Sequence, residues 1–132
     1  MKILTNIIFI FILSCSNPKN NNELYSEKIG FELNKPTILI SLENCSYCFG
    51  EYQETIKSLN TKIFNIVVIS SQLKKASLFI EPDETNIFID QEKLAIKLGL
   101  IESLPVMLLP NGSRKEIFSP KQLKEYAAIF EK

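Results

Sequence analysis

Apolar and polar positions fall into blocks of different period along this chain. From Thr37 to Leu42 the run Thr-Ile-Leu-Ile-Ser-Leu is short, β-branched and apolar, which predicts a strand buried on both faces, bounded upstream by Asn34-Lys35-Pro36. Downstream, Phe49, Tyr52, Ile56 and Leu59 recur at helical spacing, and Asn44 stands where a helix cap is wanted. Asn65-Ile66-Val67-Val68-Ile69-Ser70 predicts a second buried strand. Strand, helix, strand in that order implies parallel pairing through a right-handed crossover. Gln72 to Ile80 is compatible with a short helix, and Glu81-Pro82-Asp83 with a turn. Asn86 to Asp90 predicts a third strand, and Gln91 to Leu98 a helix burying Leu94, Ala95 and Leu98 and stopped by Gly99. Ser103 to Leu109 is an apolar strand carrying Pro105 near its start. Pro110-Asn111-Gly112-Ser113 supplies a turn, Glu116 to Phe118 a hairpin partner, and Pro120 opens a helix with Leu123, Tyr126, Ala127 and Phe130 on one face. The fold class expected is α/β, with a central mixed sheet flanked by helices.

The first block has a different character. Residues 1–14, MKILTNIIFIFILS, place Lys2 before the apolar run Ile7 to Leu13 and end on a small residue, Ser14. That is the grammar of a secretory signal peptide, and the run falls well short of the ~20 residues of a membrane-spanning helix. Ile12-Leu13-Ser14-Cys15 resembles the bacterial lipobox, which implies a mature chain starting at a lipid-modified Cys15. Residues 15–34 then read as the lipidated cysteine and a polar tether, since Ser16 to Asn22 offers nothing to bury. The folded domain is expected over 35–132.

Composition narrows the chemistry. With 15 basic and 15 acidic residues in 132, the formal charge is zero, which gives no field for nucleic acid. The chain holds no histidine. That removes imidazole bases, Cys-His nucleophile pairs and histidine-ligated metals. What remains is three cysteines. With Cys15 assigned to lipid, the other two form the pair Cys45-Ser46-Tyr47-Cys48 on the oxidising side of a membrane, where a close pair either cycles or stays oxidised. Two thiolates without histidine supply half of a tetrahedral zinc site, so no metal is expected.

The pair lies between a buried strand and a helix start. Helical N–H groups there stabilise a thiolate on Cys45, and Cys48, one turn inside, can resolve a mixed disulfide. At this point the chain resembles the thioredoxin superfamily. The resemblance runs over residues 35–131: strand, CxxC and helix at 37–59, a strand at 65–70, strand and helix at 86–99, and the Leu104-Pro105 step opening a strand that ends in a Pro110-Asn111-Gly112 turn. It implies a thioredoxin-like fold with Cys45 and Cys48 catalytic, and a substrate ledge at Leu104 and Pro105 whose connecting bond is cis. Tyr47 would add to substrate recognition, while Phe49 is expected in the core. The 57-residue step from Cys48 to Pro105 resembles the membrane-tethered, extracytoplasmic thiol-disulfide oxidoreductases, with residues 71–85 as their central insertion.

The resemblance implies no cofactor beyond the Cys45–Cys48 disulfide. It implies protein thiol or disulfide substrates, a membrane electron donor, and a place in the bacterial cell envelope facing the periplasm or the exterior. The chain departs from the family in having Glu43-Asn44 where aromatic residues usually precede the first cysteine, and Leu39 where a buried carboxylate usually stands. Glu43, Glu81 and Asp83 are read as solvated surface charges. These departures keep a second reading open, a redox-inert binding module with a structural disulfide.

Overall fold

The computed structural model describes residues 19–43, 48–80 and 85–132. The signal sequence, Cys15, Asn44, Cys45, Ser46, Tyr47 and the turn at 81–83 lie outside the described residues. The elements run α1 (Asn21–Ile29), β1 (Thr37–Ser41), α2 (Cys48–Ser58), β2 (Asn65–Ile69), α3 (Leu73–Phe79), β3 (Ile87–Asp90), α4 (Leu94–Lys97), β4 (Val106–Leu108), β5 (Arg114–Glu116) and α5 (Pro120–Phe130).

The strands form one five-stranded sheet in the order β3-β2-β1-β4-β5. β1, β2 and β3 are parallel, as the two helical crossovers require, while β4 pairs antiparallel with β1 and β5 antiparallel with β4. β1 and β2 are buried at every position because both faces are covered. Alternation along the strands sends Ile38, Ile40, Ile66, Val68 and Met107 to a core under α2, α3 and α5. Leu39, Val67, Ile69, Val106 and Leu108 point the other way, against Tyr25 of α1 and Ala95 of α4.

Four expectations are corrected. The tether does not extend over 15–34, because from Asn20 onward the polar run is structured. Asn20 caps α1 by accepting the Glu23 N–H, Gly30 closes the helix in the left-handed conformation (φ 100°), and Tyr25 and Phe31 are buried. Asn21 and Asn22 dock the helix by donating to the carbonyls of Leu98 and Gly112. Asparagine, taken for linker, here supplies a cap and two docking bonds.

The helix expected over 91–98 shrinks to the single turn Leu94–Lys97, because Lys93 takes a left-handed conformation (φ 58°) and Asp90 caps the turn from the strand end. Ala95 is fully buried there, but Leu94 and Leu98 only partly. The hairpin partner lies at Arg114–Glu116 rather than 116–118. The tight turn, with bonds between Leu109 and both Gly112 and Ser113, sets Leu108 opposite Arg114. Ile117 is then left to donate to the Pro105 carbonyl at 2.8 Å.

Finally, the Leu104–Pro105 bond is trans, since the described residues contain no cis peptide bond. Trans is the favoured isomer of an X-Pro bond by about 0.5–1 kcal/mol. Pro105 is buried and its carbonyl is bound by Ile117, so the chain enters β4 from the residue expected, through the other isomer.

Candidate functional site at the carboxyl edge of the sheet

β1 is the central strand, and its C-terminal end leads through Leu42 and Glu43 toward the cysteine pair. Cys48 is the first residue of α2, which buries Tyr52 and Ile56, with Leu59 buried just past its end. The phenol of Tyr52, one turn after Cys48, has its pKa raised, first by burial and then by the neighbouring Glu51 carboxylate, so it remains neutral at ordinary pH.

β4 approaches the same end of β1 from the other side. Leu39 pairs with Val106, the first residue of β4, and the Leu104-Pro105 step immediately precedes it. A hollow next to Leu104 is lined by Ile101, Glu102, Val106, Arg114 and Glu116. Arg114 is fixed at its rim by donating to the Gly99 carbonyl at 2.7 Å. The sheet order changes direction at β1, with β2 and β3 added on one side and β4 on the other. In open α/β sheets such a switch point is where ligands bind, outside the carboxyl ends of the strands. Thus Cys48 opens the helix that follows the carboxyl end of β1, and the Leu104-Pro105 step precedes the strand that pairs with β1 through Leu39 and Val106, while Cys15, Cys45 and Tyr47 lie outside the described residues.

The edge also contains a polar group that the sequence did not single out. The N–H and hydroxyl of Ser71, on the turn after β2, both donate to Glu43 Oε1, the hydroxyl at 2.7 Å. These bonds, the N–H first, hold the Glu43 carboxyl below its ordinary pKa, with Lys93 and Lys75 adding to the effect and slight burial opposing it. Lys75 Nζ donates to the Leu42 carbonyl at 3.3 Å. Glu43 is solvent-exposed, as expected of a surface charge, but it is bound. Its partner lies 28 residues away, a separation for which no local pattern exists.

Among the described residues the one buried acid is Asp90, and its carboxylate is occupied by other groups. Its carboxylate accepts the Tyr25 hydroxyl and the Leu94 and Ala95 N–H groups, each at 2.9 Å. Burial, then the Asp90 charge and its hydrogen bond, push the Tyr25 pKa strongly upward, so the phenol stays a donor. Leu39 is fully buried and supplies no carboxylate. Among the described residues there is no cluster of three or more histidine, cysteine, aspartate or glutamate side chains able to hold a metal, and no helix is long and apolar enough to cross a membrane.

Neither a protein-family model nor a curated protein matches this chain.

Proposed function

We propose that this protein is an extracytoplasmic thiol-disulfide oxidoreductase of the thioredoxin superfamily, anchored by lipid on Cys15, that exchanges disulfides with protein substrates through Cys45 and Cys48. The observation that supports this reading is the order of elements around β1: α2, which follows β1, begins at Cys48, and β4, which follows the Leu104-Pro105 step, pairs with β1 through Leu39 and Val106. The sheet order, with three parallel strands followed by an antiparallel pair, supports the superfamily assignment.

In the reductive direction the Cys45 thiolate attacks one sulfur of a substrate disulfide. One substrate sulfur leaves as a thiolate and takes up a proton, and a mixed disulfide to Cys45 remains. Cys48 then loses its proton and attacks Cys45 Sγ. The Cys45–Cys48 disulfide forms, the second substrate thiolate departs, and two electrons have passed to the substrate. A membrane electron donor restores the dithiol, and the reverse sequence oxidises a substrate. The cysteines are themselves the redox centre, so no cofactor or metal enters the scheme. Leu104 and Tyr47 contribute substrate contacts beside the pair.

In the full chain, Cys48→Ser should accumulate mixed disulfides through Cys45, and Cys45→Ser should accumulate none. Equal trapping by both variants, or by neither, would remove the assignment of roles. Cys15→Ala should shift the protein from the membrane fraction to the soluble fraction or leave it unprocessed; an acyl-free mature chain starting elsewhere would contradict the anchor.

A second reading, a redox-inert binding module with a structural Cys45–Cys48 disulfide, is favoured by the trans Leu104–Pro105 bond. Its mark would be a disulfide that resists reduction and traps no partner.

A further inference from the structure

We propose that β3 is a self-association edge, at which two copies of this chain pair antiparallel about Phe88 and join their sheets into one. The sheet order leaves β3 and β5 as its outer strands. They are unlike. β5 reads Arg-Lys-Glu and is exposed at every position, and charged side chains of this kind keep a strand edge from pairing. β3 reads Ile-Phe-Ile-Asp, and its single charge, Asp90, is buried and occupied by Tyr25, Leu94 and Ala95. Neither a charge nor a proline stands along Ile87 to Ile89 to block an added strand.

The ladder to β2 fixes which backbone groups that edge offers. Asn86 and Asp90 turn their carbonyls inward, accepting from the Ile66 N–H at 2.9 Å and the Ser70 N–H at 3.2 Å. The N–H and C=O of one residue lie on the same side of a strand and the sides alternate, so Asn86, Phe88 and Asp90 serve β2. Ile87 and Ile89 therefore direct both of their backbone groups to the open edge. Such an edge is its own complement. About a dyad through Phe88, Ile87 of one copy faces Ile89 of the other, and each such pair exchanges both of its N–H···O bonds. Phe88 then meets its own copy at a position without hydrogen bonds, where opposed side chains are closest and an aromatic pair is favourable. The half-buried Phe88 ring already packs against Phe31 at 6.1 Å, so the pair extends the core under α1 across the dyad. Ile87 and Ile89, half-buried on the opposite face, extend the other core in the same way.

Charge favours a second copy as the occupant. The hollow beside the end of β3 is lined by Lys28 and Glu92 together with Ile29, Ile89 and Leu94, and these opposite charges leave no field of one sign to select a charged partner. Setting the charged β5 against the apolar β3 would desolvate its side chains without partners, so like pairs with like, and such an isologous contact closes at a dimer. A strand this short buries less than a standard interface, which makes the dimer concentration-dependent.

The test is sedimentation of the full chain in detergent over a range of concentrations, paired with amide hydrogen exchange resolved at single residues. A reductant removes dimers linked through cysteine. Exchange at Ile87 and Ile89 should slow in proportion to the dimer fraction, while Phe88 and Asp90 stay protected throughout. Ile89→Pro removes an outward N–H and leaves the β2 ladder intact, as proline on that side of an edge strand does. Each dimer then loses a bond from either copy, and association should weaken about thirtyfold. A chain that is monomeric up to its solubility limit would overturn the proposal. So would a dimer in which Ile87 and Ile89 exchange as fast as in the monomer, the result expected of contact through the exposed Phe118 and Ile129. Protection of both amides in the monomer would show the edge covered by the chain itself and would overturn it equally. If Ile89→Pro does not fold, the exchange pattern of the wild type decides alone.

Discussion

The two faces of the sheet are built on different principles. On one, α2 and α5, each of 11 residues, lay amphipathic stripes over Ile38, Ile40, Ile66, Val68 and Met107, and the packing is apolar throughout. On the other, α1 buries one large apolar side chain and α4 is a single turn of four residues. Isolated segments this short are not stable helices. What fixes them is the Asp90 carboxylate, which caps α4 with two backbone N–H bonds and binds α1 through Tyr25. The first face relies on apolar stripes of long helices, while the second adds to its apolar cluster three hydrogen bonds to one buried carboxylate. Short elements can complete a core when a polar hub replaces the apolar stripe they lack.

The sharpest way to break this comparison is to remove the hub. Asp90→Ala strands two buried donors and one part-buried one, and at about 1–3 kcal/mol for each unsatisfied group the expected loss is at least about 3 kcal/mol by urea unfolding. Hydrogen exchange should accelerate at Leu94 and Ala95 well before α2 or α5 responds; a uniform acceleration would mean that the faces are not independent. On the apolar face, Ile56→Ala should cost about 2–4 kcal/mol by lost burial and a cavity, and Ile56→Val about 0.5–1.5 kcal/mol. A loss that scales with the apolar volume removed there, against one that follows the hydrogen bonds removed at Asp90, is what distinguishes packing from hub.

Tyr25→Phe tests the hub more gently. It keeps the ring packed against Phe31 and removes one of three donors, so the expected cost is about 1–3 kcal/mol, the range for a hydrogen bond to a charged group. A loss as large as that of Asp90→Ala would show that the link to α1, not the cap of α4, carries the hub.

The two faces were also unequally legible in the sequence. Helical spacing at Tyr52, Ile56 and Leu59 and at Leu123 and Ala127 exposed the apolar face directly, as did the unbroken apolar runs of β1 and β2. α1 escaped because Asn20, Asn21 and Asn22, whose side chains cap and dock it, have the composition of a linker, and its one buried ring makes no stripe. α4 is shorter than the apolar spacing suggests because its start depends on Asp90 reaching forward and on the left-handed Lys93, neither of which has a periodicity. At the candidate site, the cysteine spacing and the Pro105 step were readable locally. The Glu43–Ser71 bond was not, since it joins the ends of two parallel strands separated by a whole crossover.

The smallest expected effect concerns that bond and pH. The folded-state pKa of Glu43 is depressed below its ordinary value of 4.5, so its contribution to stability is fully present above pH 4.5 and is lost as the pH falls through the lower folded-state value. Between pH 5 and pH 3, Glu43→Gln should therefore lose less stability than the wild type in parallel urea titrations. Curves that stay parallel would mean that the exposed Glu43–Ser71 bond contributes nothing to folding.

The central claim, that Cys45 and Cys48 cycle rather than merely cross-link, is tested most directly by the reduction potential of the pair at pH 7 against a glutathione or dithiothreitol buffer. An exchanging pair should fall within the span of thiol-disulfide exchange proteins, roughly −120 to −270 mV, and a value below about −300 mV, where structural disulfides lie, would contradict the account.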